Sequence, residues 1–149
     1  MARSRIEKLG DERVREAWLA GRRVPEAAQW SLRGLEQHLA NAGAGWVALA
    51  DDVVAGFVVT HVAADELEIL NLAIVLECRR KGFGKRLLEK ALREGRRQGA
   101  TRVYLEVRAS NSGAIAFYKA NGFEIFGQRR SYYNDPIEDA ILMERGLRS

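Results

Sequence analysis

The sequence predicts an α/β fold, a mixed and mostly antiparallel twisted sheet flanked by helices, and three observations predict it. Three runs of strand character, Trp46–Ala50, Val54–Val62 and Glu66–Val75, follow one another across short polar or small-residue turns, which makes an antiparallel meander. The last of these leads through a basic glycine-bearing turn and a long amphipathic helix, Lys85–Gln98, to an alternating strand, Thr101–Arg108. Two strands joined through a helix lie parallel, as in a βαβ unit. A final pair, Phe123–Tyr133 and Ile137–Arg145, is joined by the turn Asn134-Asp-Pro136 and closes the sheet as a hairpin.

Arg3–Leu9 opens the chain as a short edge strand. Asp11–Ala20 has helical spacing, with Asp11 as N-cap and Val14, Ala17 and Trp18 on one face. Gly21-Arg-Arg-Val-Pro25 breaks it. Ser31 caps a second helix through Asn41, with Leu32, Leu35 and Leu39 turned inward, and Gly43 and Gly45 end that segment. Asp51-Asp52 and Ala63-Ala-Asp65 turn the meander, and Gly56 marks a candidate bulge. In the long helix Phe83, Leu87, Leu88, Ala91 and Leu92 form an apolar stripe, Glu89 and Arg93 an i,i+4 pair, and Gly99 the stop. Ser110-Asn111 cap a shorter helix, Ser112–Asn121, which Gly122 ends at the C′ position.

A length of 149 residues favours one domain, residues 1–149, around one substantial core. The chain is 47% hydrophobic and 30% charged, which excludes disordered and fibrous classes. Cys78 is the only cysteine, so no internal disulfide can form and a reducing compartment is the simplest inference. One Cys with two His, His38 and His61, cannot build a standard structural zinc site, so no metal is expected. Arg3, Arg5, Glu7 and Lys8 do not fit the start of a secretory leader, and no apolar stretch is long enough to span a membrane. A cytoplasmic protein without a membrane partner is expected.

The net charge is +4, unevenly spread: nine Lys or Arg lie between Arg79 and Arg97, against Glu89 and Glu94. Such a run is either a solvated helix face or a sink for a polyanion. Its focus on one helix start suits a compact phosphate ligand better than a duplex, so no direct nucleic-acid binding is expected. Backbone N–H groups at a helix start have no partner within the helix, and the macrodipole there favours anions. Gly82 and Gly84 lack a Cβ, which lets a ligand approach the main chain. The segment is not a P-loop, since no Gly-Lys-Ser/Thr follows, and Gly82-Phe-Gly84 lacks the third glycine of a dinucleotide fingerprint, where Leu87 stands. What remains is Arg79-x-x-Gly82-x-Gly84 after a strand.

Two further residues invite chemistry. Glu106 interrupts the apolar strand Val103–Val107, either as a solvent-facing alternate with Arg102, Tyr104 and Arg108 or as a side chain with a task. Tyr118, beside Phe117 on the short helix, fits core packing with its hydroxyl at the edge.

Arg79-x-x-Gly82-x-Gly84 resembles the acyl-CoA-binding signature of the GNAT superfamily of N-acetyltransferases. Further blocks are similar to its ribosomal-protein-alanine N-acetyltransferases: Trp30-Ser31, Asn71-Leu-Ala-Ile74, Leu105-Glu-Val-Arg-Ala-Ser-Asn111, Ala114-Ile-Ala-Phe-Tyr118, Asn121-Gly-Phe123, Arg129-Arg-Ser-Tyr-Tyr133, Glu138-Asp-Ala140 and Met143. The resemblance is dense from about Asn71 to Met143 and thinner before it. It implies the GNAT fold and an acetyl-CoA-dependent Nα-acetyltransferase whose acceptor is a protein N-terminus, the N-terminal alanine of a small-subunit ribosomal protein. It implies Glu106 as general base and Tyr118 as general acid, with main-chain binding of acetyl-CoA by Leu72, Ala73 and Ile74. The phosphates fall to Arg79, Arg80, Lys81, Gly82, Phe83, Gly84 and Lys85, and Asn111 contacts the cofactor. The family often carries a proline two residues after the valine that closes the strand, and Val75-Leu-Glu-Cys78 has none, which should loosen that loop. The alternatives are a GNAT enzyme for other N-termini or a small amine, and, in another class, a non-catalytic CoA-sensing or ribosome-binding module.

Overall fold

A computed structural model describes residues 3–41 and 43–147. The chain runs β1 (Ser4–Lys8), α1 (Val14–Arg22), α2 (Leu32–Ala40), β2 (Gly43–Ala50), β3 (Val53–Ala63) and β4 (Glu66–Ile74). A short 3₁₀ turn (Leu76–Cys78) leads to α3 (Phe83–Arg97), β5 (Arg102–Arg108), α4 (Ser112–Ala120), β6 (Glu124–Tyr133) and β7 (Glu138–Gly146). The strands form one sheet in the order β1-β2-β3-β4-β5-β7-β6. Each neighbouring pair is antiparallel except β4 with β5. The predicted meander, parallel crossover and terminal hairpin are therefore all present, and the hairpin joins the sheet through its second strand. No described helix is long and apolar enough to cross a membrane.

Strand alternation sends apolar residues to both faces of the sheet. On one face Trp46, Val58, Leu67, Val103 and Leu105 pack under the α3 stripe and α4. On the other Val47, Leu49, Phe57 and Val59 pack under α1 and α2. β4 changes parity midway. Leu67 and Ile69 face α3, and so do Leu72 and Ile74, while Leu70, Ala73 and Val75 face α1 and α2. The cause is a bulge: Val59 pairs with Asn71 and Thr60 with Ile69, which leaves Leu70 without a partner on β3. Asn71, buried just past it, bonds the N–H of Ala28 at 3.3 Å and its C=O at 3.0 Å. That tie holds the α1–α2 loop against the strand.

Several local expectations need correction. Asp11 does not cap α1: Gly10 O accepts from both Arg13 and Val14, so 11–13 form a turn and the helix starts at Val14. Arg13 is turned to the carboxylates of Glu7, Glu16 and Asp52. The helix runs through Gly21, where a Cβ would meet the Phe57 ring at 3.0 Å. Gly43 and Gly45 do not end the α2 segment but belong to β2, where a Cβ on Gly45 would stand 3.0 Å from Val58 O. The bulged residue of β3 is Ala55, next to Gly56. α3 begins at Phe83, two residues before the predicted start, because Gly82 at φ +83° forms its N-cap. Among the described residues the ion pairs along α3 are Lys90–Glu94 and Arg97–Glu94, not Glu89–Arg93. Ser31 caps α2 as expected, accepting from Gly34 N–H at 2.9 Å.

Candidate active site

The turn between β4 and α3 exposes main-chain donors. The first helical bond runs from Arg86 N–H to Gly82 O at 3.1 Å. Among the described residues the N–H groups of Arg80, Lys81, Gly82, Phe83, Gly84 and Lys85 donate to no protein acceptor. Arg80 at φ +62° and Gly82 at φ +83° curl this stretch so that successive donors line a concave turn at the positive end of α3. The side chains of Arg80, Lys81 and Lys85 are exposed, with no carboxylate partner among the described residues. Phe83 is buried, so only its N–H is available to a ligand. Arg79 is differently engaged: its Nε donates to Ile74 O at 3.1 Å and its guanidinium pairs with Glu26 at 3.2 Å. It pins the end of β4 and the α1–α2 loop to the turn. Asn111 is the N-cap of α4, its Oδ1 accepting from Ala114 N–H at 3.2 Å.

Above the turn the sheet opens. β4 and β5 pair only over Glu66–Ile69 and Arg102–Leu105, and past that rung β4 continues to Ile74 and β5 to Arg108 without pairing to each other. An antiparallel ladder points alternate residues' N–H and C=O toward the partner strand. Val75 N–H bonds Ala55 O at 2.9 Å, so Ala73 also faces β3, and Leu72 and Ile74 turn their main chain into the gap. Arg79 already takes Ile74 O from that side. Of the expected trio, Leu72 and Ile74 therefore present backbone to the gap and Ala73 does not.

Glu106 and Tyr118 lie on different faces of this gap and share no hydrogen bond or ring contact. Glu106 sits on β5 one residue past the last paired rung, with 18% of its side chain exposed. Its neighbours Val103, Leu105 and Val107 point to α3 and α4, so it faces the α1–α2 side. Arg129 Nε stands 3.6 Å from its Oε1. Tyr118 is buried under α3, packed edge-on between Phe117 and Phe123 with ring centroids 5.2 Å from each. Burial pushes its ionisation far above the ordinary tyrosine value. Its hydroxyl has no hydrogen-bond partner among the described residues, yet no described buried polar side-chain atom is left both enclosed and unpaired. The oxygen thus reaches solvent at the edge of the core.

Around Glu106 the structure gathers side chains with no individual signal in the sequence. Glu68 on β4 lies directly across from His61 on β3 and from Tyr104 on β5, whose hydroxyl donates to Glu68 at 3.3 Å. Desolvation pushes the Glu68 carboxyl up, and the Glu106 charge adds to this, against the Tyr104 hydrogen bond. Glu106, as a nearby acceptor and then as a charge, raises Tyr132. Tyr133 is pushed up to about 12, by burial first and then by Glu106. Glu138 accepts from Ser110 N–H at 2.6 Å and from Arg108 at 3.2 Å, tying β7 to the loop that starts α4. Among the described residues no group of three or more His, Cys, Asp or Glu could hold a metal ion.

Comparison with known proteins agrees with this geometry. The model of the acetyltransferase (GNAT) family matches residues 11–123. A ribosomal protein bS18-alanine N-acetyltransferase of Salmonella typhimurium is 43% identical over 96 residues, covering 63% of this chain and 65% of the relative, just under two-thirds of its length. The Haemophilus influenzae protein of the same name is 30% identical over 94% of both chains. The crystal structure of the ribosomal-protein-S18-alanine N-acetyltransferase from Escherichia coli superposes with a TM-score of 0.88 at 30% identity, over 99% of this chain and 96% of that one.

Proposed function

Because the chain belongs to the acetyltransferase (GNAT) family, we propose that it is an acetyl-CoA-dependent Nα-acetyltransferase acting on a protein N-terminus, the N-terminal alanine of a ribosomal protein. One observation carries the reading. The gap between β4 and β5 ends at a turn with six N–H groups that have no protein acceptor among the described residues, and it is flanked by Glu106 on one face and Tyr118 on the other. The turn suits the charged end of CoA, and the unpaired edge of β4 suits an extended amide-bearing arm that adds to it as a strand would.

Acetyl-CoA supplies an acetyl thioester with a thiolate as leaving group. The chain's own residues do the rest. An α-amine has a pKa of roughly 8 and is mostly protonated at neutral pH. Glu106, at the mouth of the gap, takes that proton directly or through water. Leu72 N–H, turned into the gap, is a donor for the oxygen that gains charge. Tyr118, held neutral by burial, offers its proton toward the departing sulfur. An exposed thiol has a pKa of roughly 8.5, too low to draw a proton from such a tyrosine, but the apolar surroundings that raise Tyr118 also raise a thiolate's basicity. Cys78 beside the turn has no part in this scheme, since the amine attacks the thioester without a covalent acyl-enzyme.

Thiol release from acetyl-CoA with peptides led by Ala, Ser, Met and Gly, beside polyamines and an aminoglycoside, tests the proposal. Turnover is expected with the Ala-led peptide, and Glu106→Gln should lower kcat by about 10²–10⁴-fold. Turnover with small amines alone would overturn the peptide acceptor, and CoA binding without any turnover would overturn the activity.

A further inference from the structure

Asp139 lies on β7, outside the reacting groups, and both of its carboxylate oxygens are engaged. Oδ1 accepts from Ser131 N–H at 2.8 Å and Oδ2 from the Gln128 side-chain amide at 2.6 Å. The two donors flank the place where β6 leaves the ladder. Arg129 pairs with Ala140 and Tyr133 with Glu138, so Arg130, Ser131 and Tyr132 bulge out opposite Asp139 alone. Ser131 sits at φ +50°, a conformation a residue with a side chain keeps only when its surroundings impose it. The backbone bond from Ser131, the Gln128 amide and the charge of Arg130 all hold the Asp139 carboxyl below its ordinary range, so the clamp stays charged.

The side chain that meets Glu106 stands at the foot of this bulge. Arg129, at its base, puts Nε 3.6 Å from Glu106 Oε1 and lays its guanidinium 5.4 Å from the Tyr132 ring centroid. Tyr132, its last residue, lies beside that guanidinium, and Glu106 raises its ionisation. We infer that Asp139 is a positioning residue for the acceptor half of the site, fixing the 130–132 bulge so that Arg129 and Tyr132 stay against Glu106. The inference rests on the reading of Glu106 as the carboxylate that takes the acceptor's proton. Arg129 reaches across β7 to Glu106 on β5 from the last paired position before the bulge, and Tyr132 lies against its guanidinium from within the bulge.

The test pairs kinetics with a readout that a general loss of stability does not move. Carbon-13 ring labelling of tyrosine, with Tyr132 assigned through Tyr132→Phe, follows the Tyr132 titration by NMR. In the intact protein Glu106 and the more distant Glu68 hold that ionisation up against Arg129. Asp139→Ala should bring it back toward the ordinary tyrosine value and lower kcat/KM for an Ala-led peptide by about tenfold to a hundredfold. Asp139→Asn should keep both within about threefold, since its oxygen still accepts from Ser131 and Gln128 can turn its amide to match. If Asp139→Ala does not fold, Gln128→Ala removes one arm of the clamp and should shift both readouts part of the way. A variant that loses activity while Tyr132 titrates as before, or that changes neither, overturns the inference. If the intact protein acetylates no peptide, the proposed activity fails, and the tyrosine titration still decides the clamp.

Discussion

Glu106 and Tyr118 are both embedded in apolar strand and helix patterns, but they occupy opposite environments, and that difference separates their tests. Tyr118 is packed among Phe117 and Phe123 with its hydroxyl unpaired among the described residues, so Tyr118→Phe removes no hydrogen bond seen there. Its melting temperature should stay within a degree or two or rise, while kcat falls about tenfold or more. A matched loss of stability would make Tyr118 a packing residue instead. Glu68 allows a test by pH. Its carboxyl titrates above the ordinary value when folded, so across that interval the native state binds more protons than the unfolded chain. Stability is then lost as pH rises through the interval and stays lower above it. Glu68→Gln keeps an acceptor for Tyr104 and abolishes the loss, so its melting temperature should exceed the parent's at pH 7 and converge with it toward pH 4. A constant difference across that range would show that Glu68 has no raised ionisation. Glu68 was not legible as a site residue, because in sequence it is one more polar alternate of β4. Only the register with His61 and Tyr104 gives it a place.

At the scale of elements the glycines of the turn before α3 separate two effects that the sequence presents as one. Both Gly82 and Gly84 appear there as residues that let a ligand come close. Gly82 is at φ +83° with nothing within 4 Å of where a Cβ would stand, so alanine there meets no clash and suffers only the left-handed backbone. Gly84 lies in α3, and a Cβ on it would rest 3.5 Å from the Phe117 ring, an ordinary contact. Gly82→Ala should cost about 1–2 kcal/mol in stability and weaken CoA binding, because the donors of the turn must re-aim. Gly84→Ala should leave the fold intact and change CoA affinity little. Calorimetric titration of CoA into both variants checks this, and a larger loss at Gly84 would mean that the ligand packs against that Cα. Helices and strands were otherwise legible to within a few residues, since stripe and alternation follow from burying one face. The Leu70 bulge was not legible as a bulge: the apolar phase slips from Leu67 and Ile69 to Leu70, Leu72 and Ile74, but adjacent apolar residues also suit a strand buried on both faces, and only the register with β3 decides. Nor was the opening of the sheet between β4 and β5, since both strands keep full alternating patterns past the rung where their pairing ends.

For the whole molecule, the two apolar layers are built from the same strands. Along β2, Trp46 and Ala48 serve the α3 side and Val47 and Leu49 the α1–α2 side, and β3 divides likewise between Val58 and its neighbours Phe57 and Val59. Neither layer can lose its strands without exposing the other, and this is the physical ground for proposing that residues 1–149 fold as one domain. The tryptophans report on the layers separately. Trp46 is buried on the α3 side, while Trp18 and Trp30 pack on the α1–α2 side, joined by the bond from Trp18 Nε1 to Trp30 O at 2.8 Å. A Trp18→Phe, Trp30→Phe variant leaves only Trp46 to fluoresce, and Trp46→Phe leaves only the other pair. Within each variant the fluorescence midpoint in urea should coincide with the midpoint by far-ultraviolet circular dichroism, whatever the stability of that variant. If the α1–α2 layer melts first, the Trp18 and Trp30 signal will precede the loss of secondary structure while Trp46 stays with it. That outcome would divide the chain into a stable half carrying the cofactor turn and a looser half lining the acceptor face. It would also make acceptor binding the step that orders α1 and α2, and a saturating Ala-led peptide should then bring the two midpoints together.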